Sequence, residues 1–262
     1  MKVLLIGHGW VATKMAAALR EHTVIRRTHE TAIAYLQGIE PRTVLNWVVN
    51  CAGYTGVPNV DNCEEEKALT IEANTVFPLR LLAQCEKWKD RLFHFSSGCI
   101  FRGGIFDEQS QPNFYGSIYS ASKLASDVAM SRDAVVARIR MPFDGGWGAK
   151  NLLTKLEKYA RNGKILDGFN SISFLDEMCE HAVKLMEDGA DNGVYHLVNQ
   201  GAIWTHEIMK MLGVENVTYW DRSEFAKAHA APRSECVLNT ALPTLEVHEA
   251  LYRAIERRRM AA

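Results

Sequence analysis

Two periodic patterns of apolar and polar residues alternate along this chain. Short continuous apolar runs are typical of strands buried on both faces of a parallel sheet. Segments with apolar residues every three or four positions predict helices that cover such a sheet. The strand-like runs are Val3–Ile6, Thr23–Arg27, Val44–Asn50, Leu92–Phe95 (continuing after Ser96-Ser97-Gly98 into Cys99–Phe101) and Ala134–Arg140.

Helical patterns lie between these strands. They cover Thr13–His22, Glu30–Gly38 (followed by a turn at Pro41), Asp61–Trp88 (with Pro78 as a break or the first turn of a new helix) and Tyr119–Arg132. This alternation predicts an α/β fold of the Rossmann type, a doubly wound parallel sheet with helices on both sides.

The alternation loosens after Met141-Pro142. We expect helices at Leu152–Arg161, Asp176–Asp188, His206–Leu212 and Leu245–Arg258, and short strands near Ile172–Leu175 and Val194–Val198. The chain therefore divides into a nucleotide-binding domain over residues 1–143 and a smaller substrate-binding lobe over residues 144–262. This lobe is expected to be interleaved with the last strands of the sheet.

Composition narrows the function classes. Among 262 residues, 47% are hydrophobic and 23% charged, and the net charge is −1, so no basic surface indicates nucleic-acid binding. No apolar run is long enough for a membrane span, and the N-terminus lacks a signal-peptide pattern. The six cysteines form no Cys-x-x-Cys pair, and no cysteine or histidine spacing is typical of a metal site. We expect a cytoplasmic protein with reduced thiols and no metal.

The first strand leads into a glycine turn, Gly7-His8-Gly9-Trp10-Val11-Ala12, and a helix follows. Glycines permit a tight turn and close backbone approach, and the N-terminus of a helix favours a pyrophosphate. The segment therefore predicts dinucleotide binding through Gly7, Gly9, Trp10 and Val11. Ala12 replaces the third glycine and is small enough for close helix packing.

The end of the second strand distinguishes between two dinucleotides. An acidic residue about 20 positions after the glycines usually binds a free ribose 2′-hydroxyl. This chain has Arg26-Arg27-Thr28 there, and a guanidinium suits a 2′-phosphate. We therefore expect NADP(H) rather than NAD(H), with Arg27 slightly preferred to Arg26 as the ligand. Two solvated loop arginines are the alternative interpretation.

Two further strands end in small or polar residues at the edge where open α/β sheets bind ligands. The third strand leads into Asn50-Cys51-Ala52-Gly53-Tyr54, of which we expect Asn50, Ala52, Gly53 and Tyr54 to contact the cofactor. The next ends at Phe95-Ser96-Ser97. Ser96 is expected to lie at the cofactor, and the Ser97 hydroxyl to hold a substrate oxygen.

Tyr119 and Lys123 lie four residues apart on a predicted helix and so share one face. The lysine cation stabilises a phenolate, so we expect it to lower the tyrosine pKa toward the working pH. A phenol of this kind exchanges a proton with an alcohol or ketone oxygen during hydride transfer. Both residues are expected to contact the cofactor as well.

Together these motifs resemble the extended short-chain dehydrogenase/reductases in order and spacing over nearly the whole chain. The segments that begin with Asn50-Cys-Ala-Gly-Tyr-Thr-Gly, together with Gly98-Cys-Ile-Phe101, Pro112-Asn-Phe-Tyr-Gly116 and Ala231-Pro-Arg-Ser234, resemble the bifunctional nucleotide-rhamnose synthases (3,5-epimerase/4-reductase). They resemble the dTDP-4-dehydrorhamnose reductases more loosely. The glycine turn departs from the family pattern, since it is one residue shorter than Gly-x-x-Gly-x-x-Gly.

The resemblance implies an NADPH-dependent enzyme that converts a UDP- or dTDP-linked 4-keto-6-deoxyglucose to the L-rhamnose nucleotide. It places an epimerase acid/base pair at Cys99 and Lys155, adds Met141 to the cofactor contacts, and assigns Asn74 to positioning the site. Asn113, Tyr115 and Arg233 become candidate substrate ligands, with Arg233 on the diphosphate. Asp61 and Glu64 are expected to cap a helix or face solvent.

Two alternatives stay open at this point. One is a reductase without epimerase activity, in which Cys99 and Lys155 are idle. The other is a non-catalytic NADP-binding regulatory subunit, like the β subunit of methionine adenosyltransferase, although such a module has no need for a complete Ser97, Tyr119 and Lys123 set. The resemblance also suggests a homodimer through the helices around Asp61–Trp88 and Tyr119–Arg132.

Overall fold

The computed structural model describes residues 1–38 and 44–261, so the turn expected at Pro41 lies outside the described residues. Six strands form one fully parallel sheet in the order β2-β1-β3-β4-β6-β11. The other strands are short and pair outside this sheet. In chain order the strands are β1 Lys2–Ile6, β2 Thr23–Arg27, β3 Trp47–Asn50, β4 Arg91–Ser97, β5 Ile105–Phe106, β6 Val135–Ile139, β7 Pro142–Phe143, β8 Lys164–Ile165, β9 Phe169–Asn170, β10 Ser173–Phe174, β11 Gly193–Leu197, β12 Ile203–Trp204, β13 Thr218–Tyr219 and β14 Val237–Leu238.

Helices connect and cover these strands. They are α1 Trp10–Ala18, α2 His29–Gly38, α3 Asn62–Glu65, α4 Lys67–Ile71, α5 Phe77–Trp88, α6 Ile118–Met130, α7 Leu152–Asn162, α8 Leu175–Glu187, α9 Thr205–Met211, α10 Arg222–Ala228 and α11 Val247–Met260. A π-helical turn, Glu72–Val76, joins α4 to α5, and a 3-10 turn, Gly98–Ile100, follows β4. None of the helices in the described part of the chain has the length and apolar character of a membrane span.

Alternation along the strands explains why helices cover both faces of the sheet. In β1, Val3 and Leu5 pack with α1 and α8, whereas Leu4 and Ile6 pack with α2 and α5 on the other face. Every second side chain of a strand points to the same side, so a continuous apolar run fills two cores at once. The expected Rossmann-type fold with a doubly wound parallel sheet is therefore confirmed.

A third core belongs to the C-terminal half. It is formed by residues of β7, β8, β10, α7, α9 and α11, with Phe143 and Phe174 stacked in it at 5.4 Å. Strand β11 comes from the same half of the chain but lies in the large sheet beside β6. The division between residues 143 and 144 stays a prediction.

Several boundaries differ from the sequence expectation. Helix α1 begins at Trp10 rather than Thr13, directly after the glycine turn. The expected continuation of β4 into Cys99–Phe101 is wrong, because the Ser97 hydroxyl accepts the Cys99 N–H at 3.1 Å and starts the 3-10 turn. The two-residue strands and α10 carry too few residues for a readable period. All six cysteines lie in the described residues, and none of them is joined in a disulfide.

Candidate active site

The carboxyl ends of the parallel strands form a crevice at the point where the strand order changes direction. Strand β1 has β2 on one side and β3 on the other, and ligands of open α/β sheets bind at such a point. The two loops that leave β1 and β3 are in close contact. A Cβ on Gly7 would lie 3.3 Å from the Ala52 nitrogen and the Cys51 carbonyl carbon.

The glycine turn leaves the N-terminus of α1 open. Gly7 has φ of +112°, which side chains strongly disfavour, and its N–H donates to the Arg27 carbonyl at 2.9 Å. Gly9 is the N-cap, and neither a side-chain cap nor an acidic residue occupies the first turn. The free N–H groups of this turn therefore suit a pyrophosphate.

Trp10 and Val11, the first helical residues, are also held by the protein. The Trp10 indole donates to Asp144 Oδ2 at 3.1 Å, and Lys14 forms an ion pair with the same carboxylate at 2.7 Å. Val11 packs against the core beneath the helix. Asp144 thus ties α1 to the loop after β7, a contact that the sequence analysis missed.

Arg26 and Arg27 differ in orientation. Arg26 is exposed, and its Nη2 reaches back to the Gly7 carbonyl at 3.5 Å. Arg27 donates to the Arg26 carbonyl at 2.8 Å and stacks over Tyr35 at 4.3 Å. Of the two guanidinium groups, the one on Arg26 lies beside the glycine turn, although the sequence slightly favoured Arg27.

The loop after β3 is held in place by polar side chains. Asn50 accepts the Ala52 N–H at 3.0 Å and contacts Nδ1 of the buried His94 at 3.0 Å. Asn74 brackets Tyr54, accepting its N–H and donating to its carbonyl, both at 2.8 Å. Asn74 lies in the π-helical turn, a local irregularity frequent at functional sites, and also donates to Ser122 Oγ at 3.2 Å. These contacts support the positioning role expected of Asn74, which stays a prediction.

Lys123 reaches the same loop from α6. Lys123 is only 5% exposed, and its ammonium donates to the Phe95 carbonyl at 3.4 Å and lies 3.1 Å from where a Cβ on Gly53 would be. Burial lowers the pKa of Lys123 to about 8, although Asp127 nearby acts in the opposite direction. A buried lysine with a pKa near neutrality is typical of functional sites.

Tyr119 lies one turn earlier on α6 and faces the end of β4. Burial raises the pKa of Tyr119, while a hydrogen bond with Ser97 and the charge of Arg140 act against this rise. The direction differs from the sequence expectation of a lowered pKa, because desolvation of the phenolate outweighs the nearby charges. The phenol therefore keeps its proton at neutral pH and can donate it.

Cys99 follows Ser97 in the 3-10 turn and is partly exposed. Arg140 Nη1, at the carboxyl end of β6, donates to Cys99 Sγ at 3.6 Å and to Ser234 Oγ at 2.9 Å. The structure thus brings Ser97, Cys99 and Tyr119 together near one buried guanidinium. The sequence predicted Arg140 only as the last residue of a strand, in the Arg140-Met-Pro142 segment of the family resemblance, and gave it no role in the site.

Lys155 lies on α7 among other cations. Burial lowers its pKa, and the charges of Lys150 and Arg233 lower it further. Arg233 is not free, because it forms a bidentate ion pair with Asp61 at 2.8 and 2.9 Å. No contact found in residues 1–38 and 44–261 joins Lys155 directly to Cys99.

The two acidic residues near the start of α3 have different roles. Asp61, expected to cap or face solvent, instead fixes Arg233 and also accepts the Ala231 N–H at 2.9 Å. Glu64 accepts the Ile118 N–H at 2.8 Å, so it caps α6, the helix of Tyr119, rather than its own.

The remaining candidates have other surroundings. Asn113 uses its amide on the Arg102 backbone at 2.8 and 3.0 Å, and Tyr115 is 73% exposed. Ser96 donates to the buried Asp127 at 2.6 Å, away from the loops. Met141 has φ of +40°, a strained value for a side chain with a Cβ, at the turn after β6.

Comparisons with known proteins agree with this arrangement. The family model of the RmlD substrate-binding domain matches residues 1–240. A trifunctional UDP-glucose 4,6-dehydratase/UDP-4-keto-6-deoxy-D-glucose 3,5-epimerase/UDP-4-keto-L-rhamnose-reductase of Arabidopsis thaliana is 32% identical over 84% of this chain, and the chain spans only 34% of its length. A bifunctional dTDP-4-dehydrorhamnose 3,5-epimerase/reductase of the same plant is 31% identical over 78% of this chain and 71% of its own length.

Solved structures share the fold over nearly the whole chain. The L780 UDP-rhamnose synthase of Acanthamoeba polyphaga mimivirus has a TM-score of 0.87 at 23% identity, covering 98% of this chain and 99% of that one. The dTDP-4-dehydrorhamnose reductase of Bacillus anthracis, solved in complex with NADP, has a TM-score of 0.81 at 19% identity, covering 100% and 99%. Since the family model spans most of its length, this chain belongs to the family defined by the RmlD substrate-binding domain.

Proposed function

We propose that this protein is an NADPH-dependent reductase of nucleotide-linked 4-keto-6-deoxyhexoses that also epimerises C3 and C5, so that its product is a nucleotide-linked L-rhamnose. The observation that carries the proposal is the meeting of Ser97, Tyr119 and Lys123 at the strand ends beside the glycine turn. The named activities of the plant and viral relatives support the same substrate class.

The residues at the crevice suit NADP(H). The open N-terminus of α1 and the close approach at Gly7 fit the pyrophosphate, and the exposed Arg26 fits a 2′-phosphate. Gly53 leaves room beside the Lys123 ammonium for a ribose hydroxyl. When bound, the cofactor supplies the hydride that C4 of the sugar accepts.

The protein's own part in reduction is to bind, orient and protonate. Ser97 holds the ketone oxygen by a hydrogen bond, and the Tyr119 hydroxyl donates its proton to that oxygen as C4 is reduced. The raised pKa of Tyr119 suits a donor, because the phenol is fully protonated before the reaction. The Lys123 ammonium then stabilises the phenolate that remains until a proton returns from solvent.

Epimerisation needs an acid and a base on opposite faces of the ring. The ketone acidifies the hydrogens on C3 and C5, so one group removes a proton and the other returns one from the opposite face. Cys99 lies next to Ser97, which binds the ketone, and the lowered pKa of Lys155 eases proton exchange near neutral pH. This proposal assigns those two steps to Cys99 and Lys155.

One reaction tests both activities. The protein is mixed with NADPH and a UDP- or dTDP-linked 4-keto-6-deoxyglucose without a separate epimerase, and product stereochemistry is read by NMR. A rhamnose product supports the bifunctional assignment, whereas a sugar with unaltered C3 and C5 reduces the proposal to a reductase. A Tyr119→Phe variant that oxidises NADPH as fast as the wild type would contradict the catalytic assignment and leave a regulatory binding protein.

We also propose a homodimer. Apolar side chains on the two helical elements expected to form its interface are exposed: Leu69, Ile71, Val76 and Val128 are between 38% and 52% exposed. Covering them by a second copy removes apolar area from water. Light scattering after size exclusion measures this directly, and a Val128→Glu variant is expected to shift the protein to the monomer.

A further inference from the structure

Arg140, at the crevice, is the largest of the fully buried side chains, and it carries a positive charge. Its side chain is 1% exposed, and its Nη atoms bond only neutral groups: Cys99, Ser234 and Asn170. Within the described ranges, no carboxylate forms an ion pair with it, and its Nε has no hydrogen-bond partner. Buried charges are normally paired, so this guanidinium lacks its counter-charge.

The neighbour Arg138, within β6, shows what a buried arginine with a structural role looks like. It is 3% exposed, and the Asp127 carboxylate neutralises it through two bonds of 2.6 and 3.0 Å. The two arginines lie two residues apart and are equally buried. The contrast indicates that the missing anion of Arg140 is something other than a protein carboxylate.

Among the hydrogen bonds that Arg140 makes in the described residues, the one to an ionisable side chain goes to the Cys99 thiol. The backbone brings the two together, because a Cβ on Gly98 would lie 3.3 Å from Arg140 Cδ and 2.6 Å from Leu238. Asn170 and Ser234 fix the other edge of the guanidinium fork. Cys99 itself is partly exposed, whereas the guanidinium that it contacts is buried.

We propose that Arg140 is the positioning residue of the epimerase step, orienting the Cys99 sulfur, which as a thiolate removes the ring proton. This inference rests on the proposed function. The sulfur forms an S–H bond as the C–H bond next to the ketone breaks, and the electron pair moves to the ketone oxygen as an enolate. The Lys155 ammonium then returns a proton from the opposite face, leaving a thiol and an amine that re-equilibrate through solvent.

The first test measures the thiol without any substrate. The protein is treated with iodoacetamide at pH 7, and carboxamidomethylation of the Cys99 peptide is followed by mass spectrometry against the other five cysteines. We expect Arg140→Met to slow labelling of Cys99 at least fivefold and Arg140→Lys, which keeps a positive charge, to slow it less. Equal labelling rates in the wild type and Arg140→Met, with folding verified by circular dichroism, overturn the proposal.

The second test measures the chemistry in two halves. Deuterium exchange at C3 and C5 of the 4-keto sugar nucleotide in D₂O follows proton removal without NADPH, and NADPH oxidation with the pre-epimerised ketone follows reduction. In Arg140→Met, the rate of deuterium exchange should fall at least tenfold more than the rate of NADPH oxidation. Equal losses in the two rates would indicate a merely structural role and refute the proposal. If the wild-type protein exchanges no deuterium at C3 or C5, the epimerase assignment is wrong. The labelling result still decides whether Arg140 acts on Cys99.

Discussion

Removing the Lys123 ammonium should stabilise this protein while abolishing the proposed reductase activity. The ammonium lies buried at the crevice, with its pKa lowered to about 8 from the ordinary value of 10.5. The difference of about 2.5 corresponds to about 3 kcal/mol of unfolding free energy, since one pH unit is worth about 1.4 kcal/mol. A Lys123→Met variant keeps the side-chain volume but not the charge. Losing the hydrogen bond to Phe95 offsets about 1 kcal/mol, so we expect a net gain of about 2 kcal/mol at pH 7.

The pH dependence distinguishes this explanation from better packing. Because the pKa of Lys123 is lower in the folded state than in the unfolded state, the destabilisation is fully present below pH 8. It is released as the pH rises from 8 toward 10.5, where the unfolded chain also loses its proton. The advantage of Lys123→Met should therefore shrink to about 1 kcal/mol at pH 9.

Urea unfolding at pH 7 and pH 9, followed by tryptophan fluorescence without added ligands, measures both quantities. The matched control is Lys184→Met on α8, a lysine whose side chain is 66% exposed in an ion pair with Asp188. Its stability should change by less than about 0.5 kcal/mol at either pH. The reasoning is refuted if Lys123→Met is less stable than the wild type at pH 7, or if its advantage is the same at both pH values.

Three further predictions concern neighbouring groups. Arg26→Ala should raise the KM for NADPH at least tenfold with little change for NADH, and more than Arg27→Ala does, because only Arg26 lies beside the glycine turn. Gly53→Ala should weaken NADPH binding in calorimetry, because the new Cβ would lie 3.1 Å from the Lys123 ammonium. Asp61→Ala should lower stability by about 1 kcal/mol in urea and raise the KM for the sugar nucleotide, because the orientation of Arg233 is lost. Unchanged KM values in Arg26→Ala or Asp61→Ala, or unchanged NADPH affinity in Gly53→Ala, would contradict the respective assignments.

The sequence predicts well what depends on local pattern. The large sheet, the helices of the N-terminal half and the shared face of Tyr119 and Lys123 all follow from apolar periodicity and helical spacing. The glycine turn is also readable, because a strand, two glycines and a helix are consecutive. These features need no knowledge of residues far along the chain.

What the sequence could not predict depends on contacts between distant segments. Arg140 acquires its surroundings from Asn170 and Ser234, 30 and 94 residues further along, so its missing counter-charge is invisible in a local window. The pairing of Asp61 with Arg233 spans 172 residues. The direction of the Tyr119 pKa was mispredicted for the same reason, because a helix pattern reveals the neighbouring lysine but not the degree of burial.

The charges around the crevice give the strongest physical link between fold and function. The protein carries a net charge of only −1, yet Lys123, Arg140 and Lys155 are buried or half-buried, and in the described part of the chain no carboxylate forms an ion pair with any of them. Folding must supply the free energy that keeps such cations away from water. A site that stores positive charge in this way is complementary to dianionic nucleotides and to oxyanions that develop on a ketone. A protein that only needed a stable core would have paired these groups, as it does Arg138 with Asp127.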